Sequence, residues 1–160
     1  MLHVDIIAIG SIREVFYQQA CQEYLKRNSK YYRIRIIEVK EESLPPDPSP
    51  KQIMDGIDKE TQRLQEQVKA NTFLVGLSPK GSKLDSLGFA KLLDQISLKG
   101  FSHCTFAVGG SFGLNDDFLQ RCHQHLSFSE LTFPHQLFRV ILLEQLFRSA
   151  KINHRETYHK

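Results

Sequence analysis

The sequence predicts an α/β fold, a mostly parallel sheet with helices on both faces. Three observations carry this. Short β-branched runs alternate five times with stretches of helical periodicity. One of those stretches puts Ile53, Ile57, Leu64 and Val68 on a single face and Lys, Glu and Gln on the other. Glycine and proline punctuate the ends of the strand-like runs, where a parallel sheet turns into its crossover helices.

The first strand is expected at Leu2–Ile9, which alternates and holds Asp5. It lacks a basic flank, so it is not a signal peptide. A second is expected over residues 33–39. The segment 42–50 then carries four prolines, which fix φ and remove backbone donors, so it reads as a stiff surface loop entering the second helix. A third strand is expected at 72–77, leading into the turn Leu77-Ser78-Pro79-Lys80-Gly81. A fourth, His103–Val108, precedes Gly109-Gly110-Ser111-Phe112-Gly113. A fifth is expected at 128–133 and passes through Pro134 and His135 into a last helix that is apolar almost all round. A helix of that kind in so small a chain suggests that one face packs on a second copy.

The length of 160 residues predicts one domain, residues 1–160, able to bury roughly two-thirds of its unfolded surface. At 41% hydrophobic and 24% charged, neither disorder nor a fibrous class is indicated. No apolar run is long enough for a membrane span. Three unpatterned cysteines, Cys21, Cys104 and Cys122, point to the reducing cytoplasm. The formal charge is +3. All of it lies in the last 26 residues, which hold five Lys/Arg against two acids, while the preceding 134 hold 16 of each. That concentration of charge, ending on Tyr158-His159-Lys160, draws attention because terminal residues usually fray.

In open α/β sheets ligands bind beyond the carboxyl ends of the strands, so the three turns after the third, fourth and fifth strands form the candidate site. Gly109, Gly110 and Gly113 remove three β-carbons from one turn, which lets a ligand approach the backbone; the same glycines would serve a plain tight turn. The spacing is neither that of a P-loop nor that of a dinucleotide fingerprint. A ligand held mainly by backbone groups suits an adenine edge or a ribose better than a triphosphate. Cys122, His123 and His125 fit no structural zinc spacing, so no metal is expected. Ser111 lacks the setting of a hydrolase elbow. On the last helix Glu144 and Arg148 stand in the favourable i,i+4 order, whereas Arg139 falls on an apolar face and must meet a carboxylate, a phosphate or a partner subunit.

The stretch Val108 to Gly113, the run Leu126 to Arg148 and the final Tyr158-His159-Lys160 together resemble the ribosomal RNA large subunit methyltransferase H family of the SPOUT superfamily, over essentially the whole chain. The resemblance implies transfer of a methyl group from S-adenosyl-L-methionine to N3 of a pseudouridine in 23S rRNA, within the assembled ribosome. It also implies a homodimer and a C-terminal trefoil knot whose loops wrap the cofactor. Carried over by position, the cofactor contacts fall on Leu77, on Gly109 with its neighbour Gly110, and on Phe128, Ser129, Glu130, Leu131, Thr132 and Phe133. Arg139, Arg148, Tyr158, His159 and Lys160 would face the RNA and the target base, with His159 the candidate general base because it alone ordinarily titrates near neutrality. Two departures stand out: Ser78 and Pro79 occupy places where the family pattern carries an acid, and Thr157 replaces a small apolar residue or proline. Competing readings are a related methylase acting on tRNA and a binding module of the same fold without chemistry. The tail argues against the latter, since a binding module has no need of Tyr158, His159 and Lys160 at one end.

Overall fold

The computed structural model describes all residues, Met1–Lys160. The chain runs β1 (Leu2–Ile9), α1 (Val15–Asn28), β2 (Tyr32–Val39), α2 (Pro50–Gln65), β3 (Phe73–Lys83), α3 (Ser86–Leu98), β4 (His103–Val108), α4 (Asp116–Arg121), β5 (Gln124–Ser127) and α5 (His135–Asn153). The five strands form one parallel sheet in the order β2-β1-β4-β3-β5.

Each face of the sheet has its own core because successive side chains of a strand point to opposite sides. From β1, Val4, Ile6 and Ala8 join Cys21 of α1, Phe89 and Leu93 of α3, and Leu142 and Leu146 of α5. Ile7 and Ile9 instead meet Leu64 of α2 and Phe118 and Leu119 of α4. β1 lies between β2 and β4 and is covered on both faces, so its run from Val4 to Ile9 is almost wholly inaccessible.

Local sequence explains the element ends. Ser49 caps α2 by accepting from the Gln52 N–H while the Gln52 side chain accepts from the Ser49 N–H, with Pro50 in the first turn. The helix ends at Gln65, so Val68 of the expected stripe lies beyond it, though it still packs on the second core. β3 is longer than the expected 72–77. Leu77 and Ser82 both pair with Leu126, so the residues between them bulge out over β5. Gly81 allows this crossing: a Cβ there would lie 2.4 Å from the Leu126 carbonyl carbon.

The fifth strand is displaced from its expected position. It occupies Gln124–Ser127, and residues 128–133 are irregular. The Ser127 hydroxyl donates to the Ser129 carbonyl and the Leu131 N–H donates to the Ser129 hydroxyl. This local turn chemistry withdraws the chain from the ladder.

α5 lies between α1 and α3 on one face of the sheet. Its many apolar positions therefore meet three neighbours within the chain, and Leu142, Leu143, Leu146, Phe147 and Ala150 are buried. Asn28 stitches α1 to α5, its amide donating to the carbonyls of Tyr24 at 2.8 Å and Leu143 at 3.0 Å.

Candidate active site

A cavity of about 690 Å³ opens at the carboxyl ends of β3, β4 and β5. Three segments wall it: Leu77 to Pro79, Val108 to Gly113, and the irregular stretch from Phe128 through Pro134 into the first turn of α5. The Gly109 turn is tight because the chain doubles back on itself. The Gly113 N–H donates to the Gly110 carbonyl at 3.1 Å, and a Cβ on Gly109 would sit 2.7 Å from the Gly113 carbonyl carbon. Gly113 itself has φ +84, a conformation that favours glycine.

Of the residues expected at a cofactor, Leu77, Gly109, Gly110, Phe128, Ser129, Leu131, Thr132 and Phe133 line this cavity. Glu130 does not. Its side chain is 79% exposed and its carboxylate pairs with Lys83 at 2.8 Å, so it points away from the wall. Ser111, Phe112, Pro134 and His135, which lie in the expected turns though not among the carried-over cofactor contacts, also line it, as does Phe138, which sequence reasoning left out. Phe138 was findable, since it lies one helical turn after His135 on the face that packs against Phe128 and Phe133.

The lining contains no lysine, arginine or carboxylate. That composition suits a neutral nucleoside-like ligand and gives nothing to a polyphosphate. Ser78 stands where an acid was expected from the resemblance, and its hydroxyl is 2.5 Å from His125 Nε2, while Lys80 N–H donates to it at 3.3 Å. Behind the Gly110 turn lies Glu60, whose carboxyl burial holds above the ordinary range and whose other oxygen accepts from the Glu42 N–H.

Arg139 is not at the surface. Its side chain is 0% exposed, and its guanidinium donates to Glu38 Oε2 at 2.9 Å and to the carbonyls of Ile9 and Gly10 at 3.0 and 2.7 Å. This corrects the expectation that Arg139 faces RNA: of the three partners a buried arginine could take, it takes a carboxylate. It ties α5 to the ends of β1 and β2.

Arg148, Tyr158 and His159 come together. Glu144 Oε1 accepts from Arg148 Nε at 3.0 Å, Arg148 Nη2 at 2.6 Å and the Tyr158 hydroxyl at 3.2 Å. The Arg148 guanidinium lies 4.7 Å from the Tyr158 ring centre, and that ring packs edge-on against Phe147. Burial, then the Glu144 charge, raises the Tyr158 phenol above its ordinary range, so it stays protonated at neutral pH. Arg148 Nη1 reaches His159 Nδ1 at 3.2 Å. A guanidinium only donates, so this contact makes His159 Nδ1 an acceptor and leaves the ring proton on Nε2. In this arrangement His159 offers a donor at Nε2 and is no base there. Lys160 is exposed beside this cluster in sequence. The last residues are seated by Glu156, which accepts from Lys151, Lys30 and Tyr31.

The cluster and the cavity lie at opposite ends of α5. Phe138 lines the cavity and Arg148 carries the cluster, about 15 Å apart along the helix at ~1.5 Å per residue.

A parallel sheet with a backbone-walled cleft at its carboxyl edge defines an α/β ligand-binding domain. Comparison with known proteins narrows that class. Residues 2–159 match the family model described as "Predicted SPOUT methyltransferase". Proteins named ribosomal RNA large subunit methyltransferase H from Clostridium tetani and Clostridium botulinum are 40% and 43% identical, each over 99% of this chain and 100% of the relative. That from Pelotomaculum thermopropionicum is 42% identical over 99% of both chains. The solved structure of a probable methylase family protein from Haemophilus influenzae superposes with a TM-score of 0.55 at 10% identity, covering 99% of this chain and 70% of that one; it shares the fold. The chain belongs to the SPOUT methyltransferase family, in the group of the ribosomal RNA large subunit methyltransferases H.

No helix is long and apolar enough to cross a membrane, and no group of three or more His, Cys, Asp or Glu side chains is placed to hold a metal ion.

Proposed function

We propose that this protein methylates ribosomal RNA of the large subunit, and specifically that it transfers a methyl group from S-adenosyl-L-methionine to N3 of a pseudouridine in 23S rRNA. It acts as a cytoplasmic homodimer on the assembled ribosome. The observation that carries the reading is the glycine-walled cavity, free of lysine and arginine, at the strand ends of a chain whose full-length relatives are named as large-subunit rRNA methyltransferases. The residues present fit the cofactor. A cavity near 690 Å³ falls in the range of small-molecule sites, and its wall at Gly109 is bare backbone held in a turn that has no room for a side chain.

When bound, S-adenosylmethionine supplies the methyl group as a sulfonium electrophile. The protein's part is binding, orientation and charge. Leu77, Val108 and Phe138 provide apolar walls, while the backbone of Gly109, Gly110, Leu131 and Thr132 is available to polar edges. Ser78, held by His125, offers a hydroxyl at the rim. At the RNA, His159 and Lys160 stabilise the negative charge that develops on the ring when the N3 proton leaves, and Arg148 holds the tail in place for them. His159 Nε2–H donates to a ring carbonyl, where that charge is shared. Both Glu144 oxygens already accept hydrogen bonds, from Gln145, Arg148 and Tyr158, so the proton passes to solvent.

The path of the chain supports a threaded C-terminal region. After β5 pairs beside β3 at the sheet edge, residues 128–134 cross the cavity mouth and α5 returns between α1 and α3. The separation of cavity and tail cluster supports a site assembled from two copies. Half-exposed Leu137, Val140 and Ile141 on α5, with exposed Phe16 on α1 and Leu84 and Leu87 at the start of α3, give such an assembly an apolar face.

Two measurements test the reading. Calorimetry should show one S-adenosylhomocysteine bound per chain. Mass spectrometry of 23S rRNA from a strain lacking the protein should show one pseudouridine without its methyl group, restored by the wild-type gene; an unchanged methylation pattern would overturn the substrate assignment.

A further inference from the structure

We propose that Tyr24 and Arg27 of α1 belong to the RNA-contacting surface, with Arg27 gripping a phosphate beside the target nucleotide. The inference rests on the rRNA reading above and extends it to a helix that neither the cavity nor the tail includes.

The structure holds two arginine-over-tyrosine stacks side by side. One is Arg148 over Tyr158; the other is Arg27 over Tyr24, with the guanidinium carbon 5.1 Å from the ring centre. They meet along the seam between α1 and α5 that Asn28 stitches. Tyr24 lies within electrostatic reach of Arg27, Arg148 and the Tyr158 phenol alike, so the four side chains form one neighbourhood.

The two arginines differ in what they have left to offer. Arg148 is consumed: Nε and Nη2 go to Glu144 and Nη1 to His159. It holds the tail and has little capacity for an outside anion. Arg27 gives only Nε to Glu23, at 2.9 Å, and its two terminal nitrogens have no protein partner. Its side chain is 42% exposed, and its guanidinium carbon sits over the ring of Tyr24. A planar, oriented fork with both ends free matches two phosphate oxygens. Of the nearby lysines, Lys30 and Lys151 do not compete for this role, because both are engaged by Glu156.

RNA is the occupant that this chemistry favours. Single-stranded recognition combines stacking on aromatic rings with cationic contact to the backbone, and here tyrosines and arginines interleave beside the tail proposed to meet the base. A purely structural role for Arg27 would be an exposed i,i+4 ion pair, which adds little to stability. Loss of Arg27 should therefore leave the fold intact and act on RNA alone.

The experiment compares wild type, Arg27→Ala and Arg27→Lys in methyl transfer from tritiated cofactor to purified ribosomes. Arg27→Ala should raise KM for ribosomes by roughly tenfold, leave kcat within about threefold, and reduce the slope of log affinity against log salt by about one contact's worth. Arg27→Lys should recover part of the loss, keeping the charge without the fork. S-adenosylhomocysteine affinity and Tm should not change in either. Ultraviolet cross-linking should leave a nucleotide adduct on the peptide carrying Tyr24. A KM within about twofold of wild type, or an adduct to a ribosomal protein in place of RNA, overturns the proposal while leaving the methyltransferase reading intact. Wild-type protein that transfers no methyl group to large-subunit rRNA removes both.

Discussion

Gly109→Ala is the smallest change that tests the cavity wall. A Cβ at Gly109 would lie 2.7 Å from the Gly113 carbonyl carbon, 2.9 Å from its Cα and 3.1 Å from its oxygen. Carbon atoms in contact settle at ~3.5–4.0 Å, so the Gly113 backbone must retreat by about 0.8 Å. Backbone cannot swing aside as the end of a flexible side chain would. If the turn held its place, the overpacking would cost about 1–3 kcal/mol. If it opened, it would lose the Gly113 to Gly110 hydrogen bond, about 0.5–1.5 kcal/mol. The second cost is smaller, so the wall moves. For a chain of this size that loss lowers Tm by about 1–6 °C. It should also weaken S-adenosylhomocysteine binding by at least about tenfold, since the displaced backbone is the wall itself. Gly100→Ala is the control. Gly100 has φ +87 and nothing within 4 Å of its would-be Cβ, so it incurs left-handed strain of about 1–2 kcal/mol without touching the cavity. Scanning calorimetry should show comparable Tm losses for both variants, and titration calorimetry should show lost affinity only for Gly109→Ala. If Gly109→Ala binds like wild type while Gly100→Ala behaves as expected, the turn is no part of the site.

Glu38→Ala should strand the buried Arg139 guanidinium and cost about 1.5–3 kcal/mol, below the range for fully buried pairs because the Glu38 side chain is 45% exposed; an unchanged Tm would mean that Arg139 does not need its partner. The tail should loosen in acid. Lys151 and Tyr31 hold the Glu156 carboxyl down to about 2, against an ordinary 4.5, so its contribution is complete above pH 4.5 and fades as pH falls toward 2. Amide protection of residues 154–160, measured against the intrinsic exchange rate at each pH, should fall across that window in wild type and be low throughout in Glu156→Gln; protection that is flat with pH would show that other contacts seat the tail.

The sheet was legible in the sequence because its central strands are covered on both faces: β1 and β4 occupy the expected spans. β5 was not, because Leu131 and Phe133, two residues apart, mimic a strand's alternation while the serine turns at Ser127 and Ser129 take the backbone elsewhere. Those residues reached the site all the same, as an irregular wall. Arg139 shows where one-dimensional reasoning stops. Its need for a partner could be read from the apolar face, but Glu38 lies 101 residues away, and no local pattern names it. For the same reason the contact between Ser78 and His125 was invisible, although both residues drew comment.

Cavity and tail cluster cannot both act on one nucleotide from a single chain in this arrangement. Methyl transfer needs the reacting atoms about 3–3.5 Å apart, whereas Phe138 at the cavity and Arg148 in the tail cluster stand about 15 Å apart along α5. A second copy removes the difficulty if its tail reaches this copy's cavity, with an interface of about 1,200–2,000 Å² in total. Complementation distinguishes the two architectures numerically. One variant lacks Tyr158, His159 and Lys160; the other carries Gly109→Val and has no working cavity. Each alone should be inactive, although the truncated protein should still bind cofactor within a few fold of wild type. Mixed in equal amounts and allowed to exchange, about half the dimers are mixed, and each has one of its two composite sites intact, so about a quarter of wild-type activity should return. A site contained within one chain predicts none. Sedimentation must show dimers at micromolar concentration for either result to bear on the question, and dimers without any recovery would mean that tail and cavity meet within one chain after a rearrangement of the tail.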